Sequence, residues 1–180
     1  VSELRYLPTT VGLGACYMRA IAESNYYVPC PEVSWSRAWN RLAIQTNLGF
    51  SQYRDTLTPK NIIHYVSRSA ITGTLEGKLL LLDRSRGGVW MGVMPGVMVV
   101  REEVRRYNQE ELANIGIDGQ PPANALLYGG FLTTGGYLVL PLRLVVSLRA
   151  GYGAWIGSDY QRSPLVYPSF LGSLGLGIRM

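Results

Sequence analysis

Three features of the amino-acid sequence predict an all-β fold, an antiparallel up-and-down transmembrane β-barrel of eight strands. Apolar residues alternate with small or polar residues at a period of two along most of the chain. Charged residues make up only 16% of the chain, whereas soluble domains usually contain about 25%. No apolar run approaches the roughly 20 residues that a membrane helix needs. Since only helices and closed barrels span membranes, the pattern predicts a barrel in a bacterial outer membrane.

The first four strands are predicted at 11–22, 41–53, 70–82 and 89–100. The second has the clearest alternation, because its large apolar residues alternate with Ala43, Gln45, Asn47, Gly49 and Ser51. Its outward set is Leu42, Ile44, Leu48 and Phe50. The third strand places leucines and isoleucine on one face and Thr72, Thr74, Glu76 and Lys78 on the other. The fourth is almost wholly apolar, with two glycines on one face.

Three further strands are predicted at 125–134, 142–155 and 170–180. The sixth alternates apolar residues with an inward set of Arg143, Ser147, Arg149 and Gly151. The terminal strand alternates through to the last residue. Each segment is about as long as the 9–11 residues of a tilted membrane strand. Because single-chain bacterial barrels have even strand numbers, an eighth strand is expected, either at 2–7 or at 62–67.

The connections between these strands alternate in length. Long outer loops are predicted at 54–69, 104–124 and 158–168, and short periplasmic turns at 83–88 and 135–141. The connection 23–40 is the exception, since it is long and falls on the periplasmic side. It contains the aromatic residues Tyr26, Tyr27, Trp35 and Trp39, which we interpret as a docking segment for a partner protein.

Four charged residues are expected to face the lumen of the barrel. Glu76 and Lys78 share a face of the third strand, and Arg143 and Arg149 share the matching face of the sixth. An eight-stranded barrel is filled by side chains, so buried charges inside it must pair. The sequence therefore predicts a lumen charge network, with an ion path or ligand site as the alternative.

Arginines also flank two glutamates at the predicted outer end of the fourth strand. Arg101, Arg105 and Arg106 are candidates for contact with the phosphates of lipid A, since a guanidinium binds phosphate through two hydrogen bonds; a solvated loop is the alternative. Cys16 and Cys30 are too few for a disulfide scaffold or a zinc site. They either form one disulfide in an oxidising compartment or remain two thiols.

Several segments resemble a known group of proteins. They are 41–53, 75–82 (Leu-Glu-Gly-Lys-Leu-Leu-Leu-Leu), 92–98 (Gly-Val-Met-Pro-Gly-Val-Met) and 174–180 (Leu-Gly-Leu-Gly-Ile-Arg-Met). This order of strands is similar to the small outer-membrane β-barrel, or porin-family, proteins common in Bacteroidota. The resemblance covers most of 41–180 and implies a Gram-negative outer-membrane barrel. The family is defined by architecture, so it implies no catalytic residues.

These observations predict one barrel domain over 1–180 that serves as a non-enzymatic structural or accessory subunit of an outer-membrane protein complex. The expected partners are outer-membrane lipid, lipopolysaccharide and other outer-membrane or periplasmic proteins. No cofactor or metal is expected, and the scattered basic residues give no sign of nucleic-acid binding. Because Val1 is not followed by a secretory leader, we expect that an export signal has already been removed.

Two alternatives come from other functional classes. One is a lipid A-modifying hydrolase that uses His64, the single histidine, together with a nearby acid such as Asp55. The other is a soluble lipocalin-like barrel that binds lipid, which requires the apolar face of each strand to point inward.

Overall fold

The computed structural model describes residues 10–19, 27–57, 62–84, 86–108, 118–119, 123–158 and 164–179. In these ranges the chain is almost entirely β-strand, with one three-residue 3-10 turn at Pro141–Arg143. The strands are β1 (Thr10–Arg19), β2 (Tyr27–Trp39), β3 (Leu42–Leu57), β4 (Ile62–Arg84), β5 (Gly87–Asn108), β6 (Asp118–Gly119), β7 (Ala123–Val139), β8 (Leu144–Ser158) and β9 (Pro164–Arg179). No helix in the described part of the chain is long and apolar enough to cross a membrane.

The eight long strands form a closed ring. Each pairs antiparallel with its neighbours in chain order, from β1 through β5 and then β7 to β9. The ring closes where β9 pairs with β1, from Thr10 opposite Arg179 to Met18 opposite Leu171. The two-residue β6 pairs only with the far end of β5. The predicted eight-stranded up-and-down barrel is therefore confirmed.

The eighth strand lies in neither of the two places that the sequence suggested. It is β2, which occupies most of the segment that was interpreted as a periplasmic connection. The candidate 62–67 is the first part of β4, and the candidate 2–7 lies outside the described residues. The interpretation of 23–40 as a periplasmic connection is thus wrong, because Tyr27–Trp39 is paired with β1 and β3 as part of the barrel wall.

The connections separate into two kinds at the two ends of the barrel. Three tight turns lie at one end, called here the turn end, together with Thr10 and Arg179. They join Trp39 to Leu42, Arg84 to Gly87 and Val139 to Leu144. The opposite end, called the loop end, carries the other strand ends, which are Arg19 and Tyr27, Leu57 and Ile62, Asn108 and Ala123, and Ser158 and Pro164. In the first tight turn Asn40 has a φ of 53°, a left-handed conformation that asparagine tolerates well, which allows β2 and β3 to reverse in two residues.

The two faces of the ring differ in chemistry as the alternation predicts. Every barrel strand presents exposed apolar side chains to the outside, for example Leu13, Val33, Leu48, Ile71, Val93, Leu132, Leu148 and Leu174. The inner face carries the buried polar and charged side chains together with aromatic and small residues. An apolar outer wall around a filled polar interior is the arrangement required of a barrel in lipid.

The two cysteines occupy adjacent strands. Cys16 in β1 lies directly opposite Cys30 in β2 in the strand register. Opposed Cα atoms in an antiparallel pair are about 4.5–5.5 Å apart, within the span that a disulfide bridges. The side chain of Cys16 lies outside the described part of the chain, so the disulfide stays a prediction.

Candidate functional site

The lumen of the barrel is built in three layers. At the turn end Leu80, Trp90, Tyr137 and Val145 form a small apolar cluster. Toward the loop end a larger apolar cluster includes Met94, Leu127, Phe131, Trp155 and Leu171. Between these clusters lie four charged side chains, all buried. They are Glu32, Glu76, Lys78 and Arg149, and we call them the lumen ion network.

Arg149 of β8 is the centre of the lumen ion network. Its Nη2 donates hydrogen bonds to both carboxylate oxygens of Glu32, at 2.8 and 2.9 Å. Its Nη1 donates to Oε2 of Glu76 at 3.2 Å. The guanidinium therefore joins β2, β4 and β8 across the inside of the ring. The hydroxyl of Ser173 donates a further bond to Glu32 at 3.0 Å.

Glu76 of β4 is wholly buried and is held from several sides. The hydroxyl of Thr133 donates to its Oε1 at 2.7 Å, and the indole Nε1 of Trp90 lies 3.4 Å from the same oxygen. The Nζ of Lys78 lies 3.5 Å from its Oε2. With this set of donors the carboxylate keeps hydrogen-bond partners after it has lost contact with water, as a buried charge requires.

Lys78 continues the lumen ion network toward the turn end. Its Nζ lies 4.0 Å from the centre of the Trp90 ring, a cation–π contact, and donates a hydrogen bond to Oε1 of Gln45. The amide of Gln45 in turn donates to Asn47, which donates to the hydroxyl of Thr74 at 2.9 Å. Two carboxylates and two cations thus form a group with no net charge, linked to a chain of neutral polar side chains.

The structure brings together three of the four charges that the sequence assigned to the lumen. The exception is Arg143, whose assignment to the lumen face is wrong. It lies exposed in the tight turn before β8, where both Leu142 and Arg143 have positive φ, so the alternation of β8 does not extend to it. Its place is taken by Glu32, which the sequence analysis missed because the segment was interpreted as a connection. The alternation of Glu32, Ser34 and Ser36 with Val33 and Trp35 was the signal available for it.

Two cavities flank the lumen ion network. The larger, of about 70 Å³, opens toward the turn end and is lined by Lys78, Trp90 and Tyr137 together with serines and glycines. The smaller, of about 20 Å³, lies on the loop side. Its lining includes Thr72 Oγ1, Arg149 Nε and Trp155 Nε1, three buried polar atoms without a protein partner. Polar atoms around a cavity of this size are suited to hold internal water.

The other residues that the sequence singled out lie on the outside or beyond the described side chains. Trp35 and Trp39 point outward from β2, and Arg101 is exposed toward the loop end of β5. Tyr26 lies outside the described residues. The side chains of Tyr27, His64, Arg105 and Arg106 are likewise outside the described part, although their backbones belong to strands. Among the residues that the structure describes, no group of three or more potential metal ligands occurs.

Comparison with known proteins places the fold among small bacterial barrels. No protein-family model matches the chain, and a search of curated proteins finds no sequence match. The structure is similar to Neisserial surface protein A, with 14% identity and a TM-score of 0.53 over 95% of this chain and 96% of that chain. It is also similar to Ail, the attachment invasion locus protein of Yersinia pestis, solved with the heparin analogue sucrose octasulfate. That match has 10% identity and a TM-score of 0.54 over 96% of this chain and 97% of Ail.

Both solved proteins are bacterial outer-membrane β-barrels. At identities this low the likeness shows a shared fold, which is the eight-stranded outer-membrane barrel that the sequence predicts. The outer-membrane location expected from the apolar outer wall agrees with the location of these neighbours.

Proposed function

We propose that the protein is a non-enzymatic, non-conducting barrel of the bacterial outer membrane, and that it acts as a structural or accessory subunit of a larger assembly. The observation that carries this proposal is the lumen ion network between its two apolar layers. A barrel whose interior is filled by paired charges and aromatic side chains offers its outer surface and its loops, rather than its lumen, for function.

A channel function does not fit this interior. An ion that crosses the lumen has to pass Arg149, which is held by the three hydrogen bonds that it donates to two carboxylates. Separating such a buried pair leaves charges without partners, at a cost of about 3–5 kcal/mol. The apolar layers on either side add a second barrier to a hydrated ion.

The two alternative functions fit less well. A hydrolase that uses His64 needs an orienting group such as Asp55, and the side chains of both residues lie outside the described part of the chain. The lumen carboxylates offer no substitute, because Glu32 is engaged by Arg149 and Glu76 by Arg149 and Lys78. A soluble lipid-binding barrel needs an apolar lumen and a polar outside, whereas here the outer wall is apolar and the charges are inside.

The accessory role is supported by the length of two strands. β4 has 23 residues and β5 has 22, about twice what a tilted strand needs to cross the membrane. The two remain paired from Ile62 opposite Asn108 to Arg84 opposite Gly87, and β3 pairs with β4 as far as Leu57. A sheet of three strands therefore projects at the loop end, and we propose it as the surface that contacts a partner protein. It replaces the segment 23–40 in that role.

The sealed lumen is tested by conductance in planar lipid bilayers. The refolded protein is expected to give no stepwise current, as is an Arg101→Gln variant that changes an exposed charge outside the lumen. Steady channel openings of the unaltered barrel that are absent when it is unfolded contradict the proposal.

The partner surface is tested by photo-crosslinking in intact cells. A photo-reactive residue at Gln52 or Arg54, which are exposed on β3 toward the loop end, is expected to trap a specific protein. The same residue at Leu142, which is exposed at the turn end, is the control and is expected to trap none. An accessory role at the loop end is excluded if neither position forms a protein adduct in a barrel that is correctly folded.

A further inference from the structure

The turn end of the barrel is surrounded by arginines. Every one of the three tight turns has at least one, and so does the closing strand β9, so the positive charges follow the whole circumference. They are Arg37, Arg41, Arg84, Arg86, Arg143 and Arg179, which we call the arginine collar. Arg179 is partly exposed and the others are exposed.

The arginine collar accounts for the net charge of the chain. The turn-end segments 37–43, 81–88, 140–144 and 177–179 contain these six arginines and one acidic residue, Asp83, a surplus of five. The formal net charge of the chain is also +5. The lumen ion network is neutral, and the charges in the rest of the chain cancel. The basic residues are scattered along the sequence, but the fold places the net positive charge at the turn end.

Arg37 fixes the level of the collar relative to lipid. It points outward from β2 between Trp35 and Trp39, and its guanidinium carbon lies 5.2 Å from the centre of the Trp39 ring. An arginine on the lipid face costs about 2–4 kcal/mol at the midplane but close to nothing near the interface. Tryptophan is enriched at the same level. Arg37 therefore marks the headgroup layer, and the turns with the other collar arginines lie at or beyond it.

We propose that the arginine collar binds the phosphate groups of anionic glycerophospholipids in the leaflet that surrounds the turn end. A guanidinium forms two parallel hydrogen bonds with a phosphate, and arginine is the residue best suited to this geometry. A leaflet contacts the barrel on all sides, which matches a collar that runs around the complete circumference. A protein docked on one side of the barrel would contact only part of the collar. The proposal rests on the outer-membrane setting but not on the partner protein at the loop end.

The collar is tested by lipid-specific quenching of tryptophan fluorescence. Trp35 and Trp39 are exposed on the outer wall beside the collar, whereas Trp90 and Trp155 are buried in the lumen. The refolded barrel is placed in bilayers that contain either brominated phosphatidylglycerol or brominated phosphatidylcholine. The ratio of the two quenching efficiencies gives the preference for the anionic lipid around Trp35 and Trp39.

We expect the unaltered barrel to prefer phosphatidylglycerol severalfold. The double variant R37Q/R41Q removes the two collar arginines beside Trp35 and Trp39 and is expected to lower this preference toward equal quenching by the two lipids, since one basic residue near an anionic surface changes lipid binding by about fivefold. The control R54Q/R101Q removes two exposed arginines from the loop end and is expected to leave the preference unchanged.

Three results overturn the proposal, each measured on barrels whose folding is checked by heat-modifiability on a gel. They are equal quenching by the two lipids, an unchanged preference in the collar variant, or an equal loss in the control variant. If R37Q/R41Q does not fold, the single variants Arg37→Gln and Arg41→Gln are measured in its place. Since conductance is a separate readout, none of these results bears on the sealed lumen.

Discussion

The bond between Arg149 and Glu32 allows a quantitative test of the lumen ion network. The lumen holds two carboxylates and two cations, all buried. Glu32→Gln removes one negative charge, so Arg149 loses two charge-assisted hydrogen bonds of 2.8 and 2.9 Å and keeps only Glu76. Breaking one partner of a buried pair costs about 3–5 kcal/mol, because a charge is left without compensation. We expect a loss of that size in the free energy of unfolding.

The reverse change is expected to cost a similar amount. Arg149→Met leaves Glu32 with the Ser173 hydroxyl alone and gives the lumen a net negative charge. In the double variant, Glu32→Gln with Arg149→Met, one carboxylate and one cation remain, Glu76 and Lys78, which lie 3.5 Å apart. Because the lumen is neutral again, the double variant should be no less stable than either single variant.

The measurement is a double-mutant cycle from urea unfolding in lipid vesicles, followed by tryptophan fluorescence. Independent sites add to within about 0.5 kcal/mol, whereas this pair should show a coupling of about 3 kcal/mol or more. Arg101→Met, an exposed arginine at the loop end, is the control and should change stability by less than about 0.5 kcal/mol. Additive losses from the two lumen substitutions would refute the network.

Two further predictions concern the wall of the barrel. Leu48→Arg places a charge on the lipid face and should destabilise the folded barrel by about 2–4 kcal/mol. Leu142→Arg at the exposed turn is the control and should have little effect. Equal losses of stability for the two variants, measured by unfolding in lipid vesicles, would show that the outer wall does not face lipid. Gly153→Ala should impair folding, because the added methyl group meets backbone atoms of Gly130 and Phe131 on the neighbouring strand. Gly130→Ala should be tolerated, since nothing lies within 4 Å of the added carbon, and similar folded fractions on a gel would contradict this register.

The sequence predicts the wall of the barrel well because the alternation of apolar and polar residues shows directly which side chains contact lipid. A residue that contacts lipid has to be apolar, so strands such as β3 can be read from the spacing of Leu42, Ile44, Leu48 and Phe50, all of which are exposed outside. The two-residue periodicity also places Glu76, Lys78 and Arg149 on the inner face. The difference in length between turns and loops follows from the same strand boundaries.

The sequence is misleading where local signals oppose the final structure. β2 contains Pro29 and Pro31, and proline lacks the N–H that a paired strand usually donates, so the segment was interpreted as a connection. The reversal at Asn40 was also missed, because a left-handed asparagine does not interrupt an apolar pattern. A turn with positive φ also explains Arg143. It lies in this turn and not on the lumen face, because the alternation of β8 begins only after it. Pairing across the ring, as between Glu32 and Arg149, depends on closure of the barrel and cannot be read from spacing.

The contacts of Arg149 also have a consequence for how the barrel forms. Its partners Glu76 and Glu32 are 73 and 117 residues away along the chain, and Ser173 is 141 residues from Glu32. Contacts of such long range form late and slowly, since much of the chain has to be ordered before they are made. An intermediate that contains β4 to β9 holds Glu76, Lys78 and Arg149 with one positive charge in excess, and arrival of β2 with Glu32 cancels it. Insertion of the N-terminal strands therefore completes the ring and neutralises its interior in the same step, which favours a single cooperative folding transition over stable partly formed barrels.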